Sequence, residues 1–394
     1  MKESVFVAGV GMTSFVKPGT SPSYDRMGSA AAREALRDAG VDYVDVQQAY
    51  AAYVYGDSTS GQAALYQVGL TGIPIFNVNN NCATGSSALF LARQAIASGA
   101  VDCVLVLGFE QMAPGALREL YPDRPTPLSR FIDIAEDVPG AKEAPMAIKL
   151  FGSAGQQYQD LYGADERIFA KVTVKARRHA EHNERAIFRS PVTVDEVLAS
   201  PRMLGPITRL QCCPPTCGAG AAVLVSERFA KKHGIRPAVS IRAQAMTTDF
   251  ETSFMERSPM KAVGCDMTRA AADLVYEHSG VGPEDLDVVE LHDCFTSNEI
   301  LSYEGLRLTA EGTAARFVSD DENTYGGKVV VNPSGGLLSK GHPLGATGLA
   351  QCAELVWQLR GQAGIRQVDD ARLALAHNIG IGGACVVTLY ERVE

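Results

Sequence analysis

Residues 31–52 read AAREALRDAGVDYVDVQQAYAA and recur in diverged form as residues 271–292, AADLVYEHSGVGPEDLDVVELH. The two stretches align without a gap at an offset of 240 residues. Each contains a helix-like run of small residues, the pair Gly-Val, and then an apolar run typical of a strand. A unit that occurs twice in one chain usually packs copy against copy, and pockets prefer such interfaces. The repeat therefore predicts two related α/β halves that share an interface.

Short apolar runs alternate with helix-like patterns around the first copy. Strands are expected at 4–11, 49–55, 75–78 and 101–108, and helices at 23–39 (with Gly40 as C-cap) and 84–98. A second pair of matches supports the repeat, because CATG at 82–85 aligns with GATG at 345–348 and each opens an apolar helix. Such alternation predicts a parallel, doubly wound α/β sheet.

The composition changes after residue 110. Six of the 19 prolines lie between Pro114 and Pro145, and a charged helix is expected at 165–183. Apolar strand character returns at 219–226. The predicted organisation is an N-terminal half at 1–110, an inserted loop domain at 111–210, the last part of the N-terminal half at 211–235, and a C-terminal half at 236–394.

The composition excludes several classes of protein. The chain has 394 residues and a net charge of −9 without a basic run, which argues against binding to nucleic acid or anionic membranes. No apolar stretch approaches the roughly 20 residues of a membrane-spanning helix. Nine cysteines without disulfide-framework spacing suit a reducing compartment. With no signal peptide at the N-terminus and no peroxisomal signal in the final TLYERVE, we expect a cytoplasmic protein, or a peroxisomal one if the source is eukaryotic.

Cys82 lies where the first apolar helix of this kind begins, in NVNNNCATGSSALFLA (77–92). Unpaired N–H groups and the positive end of the dipole at a helix N-terminus favour a thiolate, which predicts a lowered pKa. His342, in NPSGGLLSKGHPLGATGLA (332–350), precedes the equivalent helix of the second copy. Duplication places it at the same interface, where it could accept the thiol proton. The alternatives are an ordinary buried cysteine and a structural loop histidine.

A third group of ionisable residues follows a predicted strand at 287–291. His292, Asp293 and Cys294 occupy the carboxyl end of that strand, where α/β folds place their chemistry. Consecutive residues of an extended strand cannot all face one ion, and the cysteines at 212, 213 and 217 lack paired zinc-ligand spacing. No metal is therefore predicted. Glycines at 380, 382 and 383 could aim backbone N–H groups at an oxyanion, although glycines after a strand are also ordinary turn residues.

Together these segments resemble the thiolase superfamily, and most of all its SCP2-thiolase branch, the thiolase part of sterol carrier protein x. The resemblance extends over nearly the whole chain and implies the thiolase fold, in which two duplicated α/β halves stack as α-β-α-β-α layers with an inserted loop domain. The matching stretches are GDSTSGQAALYQ, TGIPIFNVNNNCATGSSALF, LQCCP, ELHDCF, NTYGGK, NPSGGLLSKGHPLGATGLAQCAEL and HNIGIGGA.

The resemblance also implies roles for individual residues. Cys82 corresponds to the nucleophile that accepts the acyl group, and His342 to its base and an oxyanion donor. Ordinary thiolases carry a second catalytic cysteine where this chain has Asn378, and in the SCP2-thiolase branch Cys294 supplies that acid and base. The oxyanion holes are expected to use His292 and, through backbone N–H groups, Cys82 and Gly380.

The implied reaction is cleavage of a 3-oxoacyl-CoA by CoA through an acyl-Cys82 intermediate. Its products would be acetyl-CoA, or propionyl-CoA from a 2-methyl-branched substrate, and a shortened acyl-CoA, as in β-oxidation of lipids or sterol side chains. Coenzyme A is then a substrate and no cofactor is needed. A homodimer or a dimer of dimers is expected, without insertion into a membrane.

One departure and three rival functions remain. Close relatives have Ser-Asp-Gly-Ala-Ala after the CCP segment, whereas this chain has TCGAG at 216–220, so Cys217 could alter how the active-site loop is braced. The first rival is a retro-aldolase acting on steroid side-chain CoA thioesters with a partner protein, in which the cysteine nucleophile is dispensable. The others are a decarboxylating ketosynthase, in which His292 and His342 would form the histidine pair, and a non-catalytic acyl-CoA-binding scaffold.

Overall fold

The computed structural model describes residues 3–114 and 121–393. Residues 115–120 of the predicted insert lie outside this part. The strands are β1 Val5–Met12, β2 Gln48–Ala52, β3 Ile75–Val78, β4 Cys103–Glu110, β5 Arg202–Leu204, β6 Ile207–Thr208, β7 Gly218–Ser226, β8 Val239–Thr247, β9 Val288–Glu290, β10 Val330–Val331, β11 Leu373–Gly380 and β12 Ala384–Arg392. The helices are α1 Tyr24–Ala39, α2 Ser60–Tyr66, α3 Thr84–Ala97, α4 Ser129–Ala135, α5 Met146–Tyr162, α6 Glu166–Ala180, α7 Val194–Ala199, α8 Glu227–His233, α9 Thr252–Met255, α10 Pro259–Ala262, α11 Cys265–Ser279, α12 Thr296–Gly305, α13 Ala314–Ser319, α14 Gly336–Ser339 and α15 Thr347–Leu359.

Ten strands of the described part form one mixed sheet in the order β10-β9-β11-β12-β8-β1-β7-β4-β2-β3. The order is symmetric about the junction of β1 and β8, which meet at the pair Phe6 and Ser240. Outward from that junction, β1, β7, β4, β2 and β3 correspond to β8, β12, β11, β9 and β10. This topology confirms the two duplicated α/β halves.

The aligned segments of the repeat occupy equivalent elements. Gly40 caps the C-terminus of helix α1 and Gly280 caps that of helix α11, and both glycines adopt the left-handed conformation of a C-cap. Strand β2 begins at Gln48 and strand β9 at Val288, so the offset of 240 residues is preserved. The prediction of a helix followed by a strand in both copies is confirmed.

The prediction of a parallel sheet is wrong for part of each half. Strands β2 and β9 run parallel to both of their neighbours, but β7 and β12 run antiparallel to theirs. Strands β11 and β12 are joined by the three residues 381–383, a connection that only an antiparallel pair permits. Strands buried on both faces are continuously apolar in either direction, so the hydrophobic pattern did not reveal the direction.

Strand side chains of each half pack on the central helices from one face and on outer helices from the other, which gives five layers. In β4, Val104 and Val106 pack on the central helices α3 and α15, whereas Leu105 and Leu107 pack on α1. Strands of both halves contribute to the core around α3 and α15, and α11 covers the other half of the sheet from outside. The α-β-α-β-α arrangement is therefore confirmed.

Between β4 and β7 the chain forms α4 to α7 and the short hairpin β5–β6. This segment packs on α12 of the second half, where Phe151 stacks on Phe295 at 5.0 Å and the Tyr158 hydroxyl donates to Glu304 at 2.6 Å. The expected charged helix is α6, and its N-cap Asp165 accepts the backbone N–H of Arg167 at 2.8 Å. The boundaries given to the insert stay a prediction. No helix in the described residues is long and apolar enough to cross a membrane.

Candidate active site

The two central helices begin at the candidate site. Cys82 lies two residues before α3, and His342 lies five residues before α15. Both side chains are buried. Asn81 adopts a left-handed conformation with φ of 51° and donates its side-chain amide to the Ile381 carbonyl at 3.1 Å. The repeat thus places the thiol and the imidazole at the interface where it predicted them.

Three of the predicted residues meet at one point. The Cys82 sulfur and one ring nitrogen each of His292 and His342 lie within 4.8 Å of one another. The two imidazole rings are nearly perpendicular, at 84°, with their centroids 5.1 Å apart. A thiol between two imidazoles has a proton acceptor and a hydrogen-bond donor within reach, provided that the two rings carry their protons on different nitrogens.

Hydrogen bonds determine the protonation of His342. Its Nδ1 lies 2.7 Å from the Thr347 hydroxyl oxygen, and that hydroxyl donates its own proton to the Pro343 carbonyl at 3.0 Å. We therefore assign the proton to Nδ1, which donates to the Thr347 hydroxyl oxygen. Nε2 is left with a free lone pair, is buried, and has no partner among the described residues. Burial lowers the pKa of His342 to about 3, so the ring is neutral and can accept a proton.

His292 has the opposite tautomer. The Asn378 side-chain amide donates to Nδ1 of His292 at 2.8 Å, and the Ser86 hydroxyl donates to the Asn378 carbonyl oxygen at 3.0 Å. Because Nδ1 accepts, Nε2 carries the proton and is a donor. Burial and the neighbouring His342 and His377 lower the pKa of His292 well below its usual value, which keeps the ring neutral. Sequence analysis assigned no role to Asn378, and the available signal was its position two residues before Gly380.

The expectation of a low pKa for Cys82 is wrong. Burial, together with the Glu110 carboxylate, raises the pKa of Cys82 to about 12. Loss of water around a buried thiolate outweighs the hydrogen bond from the Cys82 backbone N–H, which favours the thiolate. Cys82 is therefore a neutral thiol beside a neutral acceptor, and its proton moves to His342 only when it attacks.

Glu110, whose charge acts on Cys82, is hydrogen-bonded to both halves of the chain. Its carboxylate accepts backbone N–H groups from Val54 at 3.1 Å, Tyr55 at 3.0 Å and Gly345 at 3.0 Å. Burial nevertheless raises the pKa of Glu110 to about 7. The charge that acts on Cys82 consequently changes near neutral pH.

The side chains of the consecutive residues 292–294 point to two different places. His292 and Cys294 line the same cavity as Cys82. Asp293 instead accepts the backbone N–H groups of Leu337 at 2.7 Å and Leu338 at 3.3 Å, and so fixes the loop that leads to His342. Burial, followed by the neighbouring thiols, raises the pKa of Cys294 well above its usual value, so this residue stays protonated until a strong base such as an enolate takes its proton.

Gly380 lies directly against the backbone before α3. A Cβ on Gly380 would come within 2.0 Å of the Asn80 carbonyl oxygen and 3.1 Å of the Ala83 nitrogen, so only glycine permits this approach. The Cys82 N–H has no hydrogen-bond acceptor among the described residues. Gly380 and Cys82 are thus brought together, in a place where an oxyanion could meet the Cys82 N–H.

These groups open into a cavity of about 770 Å³. The insert provides much of its wall, and most of its side chains are apolar. The lining that comes from 111–210 is Met112, Pro145, Met146, Ala147, Ile148, Phe151, Arg177, Phe188, Met203, Arg209 and Leu210. A cavity of this size and polarity fits an acyl chain.

Cys82, His292 and His342 also have the ligand types of a metal site. His292 does not fit this role, because Nδ1 accepts from Asn378 and the remaining nitrogen carries a proton where a metal needs a lone pair. Binding a metal would break the hydrogen bond to Asn378. The absence of a resident metal stays a prediction.

Cys217 and Thr216 hold the backbone around the cavity through hydrogen bonds to Met112 and His342. The buried Cys217 sulfur accepts the Met112 N–H at 3.2 Å, and Met112 lines the cavity. Thr216 accepts the His342 N–H at 3.2 Å and donates to the Pro214 carbonyl at 2.7 Å. Gly341, with φ of 119°, takes a left-handed conformation between these contacts and His342.

Comparison with known proteins gives the family of this chain. Residues 5–228 match the thiolase N-terminal domain, and residues 251–390 match the thiolase C-terminal domain-like family. With the duplicated halves and the site between them, the chain belongs to the thiolase family.

The chain is also similar to individual proteins of known name. The chain is similar to sterol carrier protein 2 of Oryctolagus cuniculus, with 54% identity over 98% of this chain and 72% of that protein. It is also similar to the non-specific lipid-transfer protein-like 2 of Caenorhabditis elegans, with 45% identity over 99% of this chain and 96% of that protein. Among solved structures, the Ltp2-ChsH2(DUF35) aldolase has the same fold, with a TM-score of 0.83, 22% identity, and coverage of 99% of this chain and 98% of that chain.

Proposed function

We propose that this protein is a thiolase that cleaves 3-oxoacyl-CoA with CoA, giving acetyl-CoA or propionyl-CoA and a shortened acyl-CoA. The observation that carries the proposal is the cluster of Cys82, His342 and His292 within 4.8 Å, with opposite tautomers on the two rings. This arrangement supplies a nucleophile, a proton acceptor and a donor to an oxyanion without any cofactor.

In the first half-reaction, Nε2 of His342 takes the Cys82 proton as the sulfur attacks the 3-oxo carbon. The backbone N–H groups of Cys82 and Gly380 stabilise the resulting tetrahedral oxyanion. Its collapse breaks the bond between C2 and C3 and leaves the acyl group on Cys82. The electron pair goes to the enolate of acetyl-CoA, whose oxygen accepts from Nε2–H of His292. Cys294 then protonates C2.

In the second half-reaction, free CoA replaces acetyl-CoA. The Cys294 thiolate accepts the proton of the CoA thiol, and the CoA sulfur attacks the acyl carbon on Cys82. The leaving Cys82 sulfur recovers its proton from His342. Cys294 returns to a thiol, so both half-reactions balance without an external oxidant or reductant. This cycle is a ping-pong mechanism.

The retro-aldolase alternative needs no acyl-enzyme. The buried Cys82 beside an unpartnered His342 Nε2 supports the thiolase instead, because a retro-aldol reaction makes no use of this pair. The likeness to the aldolase structure, at 22% identity, concerns the fold alone.

A CoA-dependent thiolysis assay on a 3-oxoacyl-CoA series, with intact-protein mass spectrometry before CoA is added, tests the proposal. We expect an acyl adduct on Cys82 that CoA discharges and that a Cys82→Ser variant lacks. Cleavage without an adduct would favour the retro-aldolase. Neither cleavage nor adduct across the series would leave an acyl-CoA-binding scaffold.

The cellular compartment and the oligomeric state of the enzyme are part of the same proposal. The nine cysteines are all unpaired, which supports a reducing compartment such as the cytoplasm. We propose a homodimer or a dimer of dimers, with acyl-CoA as the small-molecule partner. Light scattering of the purified chain distinguishes these states.

A further inference from the structure

One charged side chain in the cavity has no place in the mechanism above. Arg177, on α6, is 7% exposed and lines the cavity that contains Cys82. Its guanidinium lies 4.2 Å from the centroid of the Phe188 ring. Within residues 3–114 and 121–393, the guanidinium makes no hydrogen bond or ion pair, and its Nε is buried without a partner.

Such a side chain is costly to bury. A guanidinium stays protonated in proteins, and a buried charge is strongly disfavoured unless an opposite charge lies beside it. Stacking on Phe188 compensates in part. Its free N–H donors remain available to a ligand that enters the cavity.

The charges of the described lining all have one sign. Arg177 and Arg209 are its charged residues, and none of the lining residues is Asp or Glu. The cavity is therefore apolar with a positive potential, which favours an apolar chain that carries an anionic oxygen group.

Two parts of the proposed substrate could carry that group, namely the phosphates of CoA and the acyl chain. The phosphates of CoA are separated from the reacting thiol by the long pantetheine arm and stay hydrated. The exposed Arg209 suits them better than a buried side chain. Phe188, by contrast, is bonded to the segment that leads to His342, since its N–H donates to the Ser339 carbonyl at 3.0 Å. Arg177 thus belongs to the wall beside the reacting groups.

We propose that Arg177 binds a carboxylate carried by the acyl group, so that the preferred substrates are CoA thioesters of 3-oxo dicarboxylic acids. This inference rests on the proposed thiolase function and adds the substrate class. A planar guanidinium binds a carboxylate through two parallel hydrogen bonds, which lysine cannot reproduce.

The test compares two 3-oxoacyl-CoA esters of equal chain length, one ending in a methyl group and one in a carboxylate. We expect Arg177→Met to lower kcat/KM for the carboxylate ester by about 10- to 100-fold and to change that of the methyl ester by less than about threefold. Arg177→Lys should be intermediate. Arg178→Met is the matched control, because Arg178 is exposed and donates to Thr324 at 3.0 Å; it should leave the ratio of the two esters unchanged.

Other results would overturn the assignment. An equal loss for both esters would indicate a structural role, and a higher KM for free CoA with either ester would indicate a phosphate contact. If the native protein cleaves neither ester, the proposed reaction fails, and calorimetric binding of saturated acyl-CoA esters with and without the terminal carboxylate decides the role of Arg177. Equal affinity of the native protein for these two ligands would then refute the inference.

Discussion

The side-chain amide of Asn378 donates a hydrogen bond of 2.8 Å to Nδ1 of His292 and thereby fixes the tautomer of that ring. We expect Asn378→Ala to lower kcat by about 10- to 100-fold with little change in KM, because the enolate oxygen loses an oriented donor. Ser86→Ala should give a smaller loss, since it only releases the amide to rotate. Steady-state kinetics of thiolysis measure both.

Asn378→Asp makes the same relationship visible in a pH profile. The carboxylate would accept from Nδ1–H, so Nε2 could donate only when the ring is an imidazolium. Activity should then fall as pH rises through the new, higher pKa of His292. In the native protein His292 stays neutral throughout, because burial holds its pKa well below the usual value. An unchanged pH profile in this variant would contradict the tautomer assignment.

The raised pKa of Cys82 predicts slow alkylation at neutral pH. With a pKa of about 12, the thiolate fraction and the rate of reaction with iodoacetamide should rise about tenfold per pH unit between pH 8 and 10, without a plateau. Peptide mass spectrometry over time measures the rate at Cys82. A plateau below pH 8 would show that the helix N-terminus controls the thiol after all.

Glu110 offers a variant that tests the cause of this shift. Glu110→Gln removes the charge that raises the pKa of Cys82 and nearly keeps the shape, so alkylation at pH 8 should become several-fold faster. Because the carboxylate also accepts backbone N–H groups, unfolding curves of both proteins must be compared. Slower alkylation in a stable variant would mean that the charge acts in the other direction.

Loss of Cys294 should affect carbon–carbon cleavage much more than acyl transfer to Cys82. Cys294→Ala removes the acid that protonates the enolate, and we expect carbon–carbon cleavage to fall by about 10²- to 10⁴-fold. Transfer of an acetyl group from acetyl-CoA to Cys82 forms no enolate and loses only the acid that protonates the leaving CoA sulfur, so it should slow less and still give the adduct by mass spectrometry. Cys265→Ala, on α11 outside the cavity, is the matched control. Normal cleavage by Cys294→Ala would transfer this role to another group.

A buried ion pair anchors the insert to the second half. Lys175 on α6 pairs with Glu299 on α12, and their side chains are 5% and 0% exposed. Lys175→Met should lower the free energy of unfolding by about 3–5 kcal/mol, because Glu299 would stay buried without a partner. Adding Glu299→Gln should restore part of this loss. Urea denaturation measures both, with Arg316→Met of the exposed pair to Asp320 as a control of small effect; strictly additive losses would mean that the pair is not coupled.

Much of the fold could be predicted because duplication leaves a trace in the sequence. The aligned stretches placed Gly40 and Gly280 at equivalent helix ends and set Cys82 and His342 before equivalent helices. Strand direction could not be predicted, because an apolar run buried on both faces has the same composition in either orientation.

The site was less predictable, since its chemistry depends on contacts between distant segments. Sequence indicated the thiol and both histidines, but the tautomers depend on Thr347 and Asn378. The pKa of Cys82 depends on its burial and on the Glu110 carboxylate. Arg177 and Arg178 are adjacent identical residues in a charged helix, and only the packed structure shows that one faces the cavity and the other faces solvent.

The symmetric strand order has a consequence for the history of the site. Two identical copies of the unit, related by a twofold axis between β1 and β8, would bring the same pre-helix loop to the interface twice. Each loop would then have to serve as nucleophile and as base at once. Joining the copies in one chain freed them to diverge, so that one loop keeps the sulfur before α3 and the other keeps the imidazole before α15. Divergence of two copies joined in one chain thus permits the division of labour between Cys82 and His342, with one specialised centre in place of two equivalent ones.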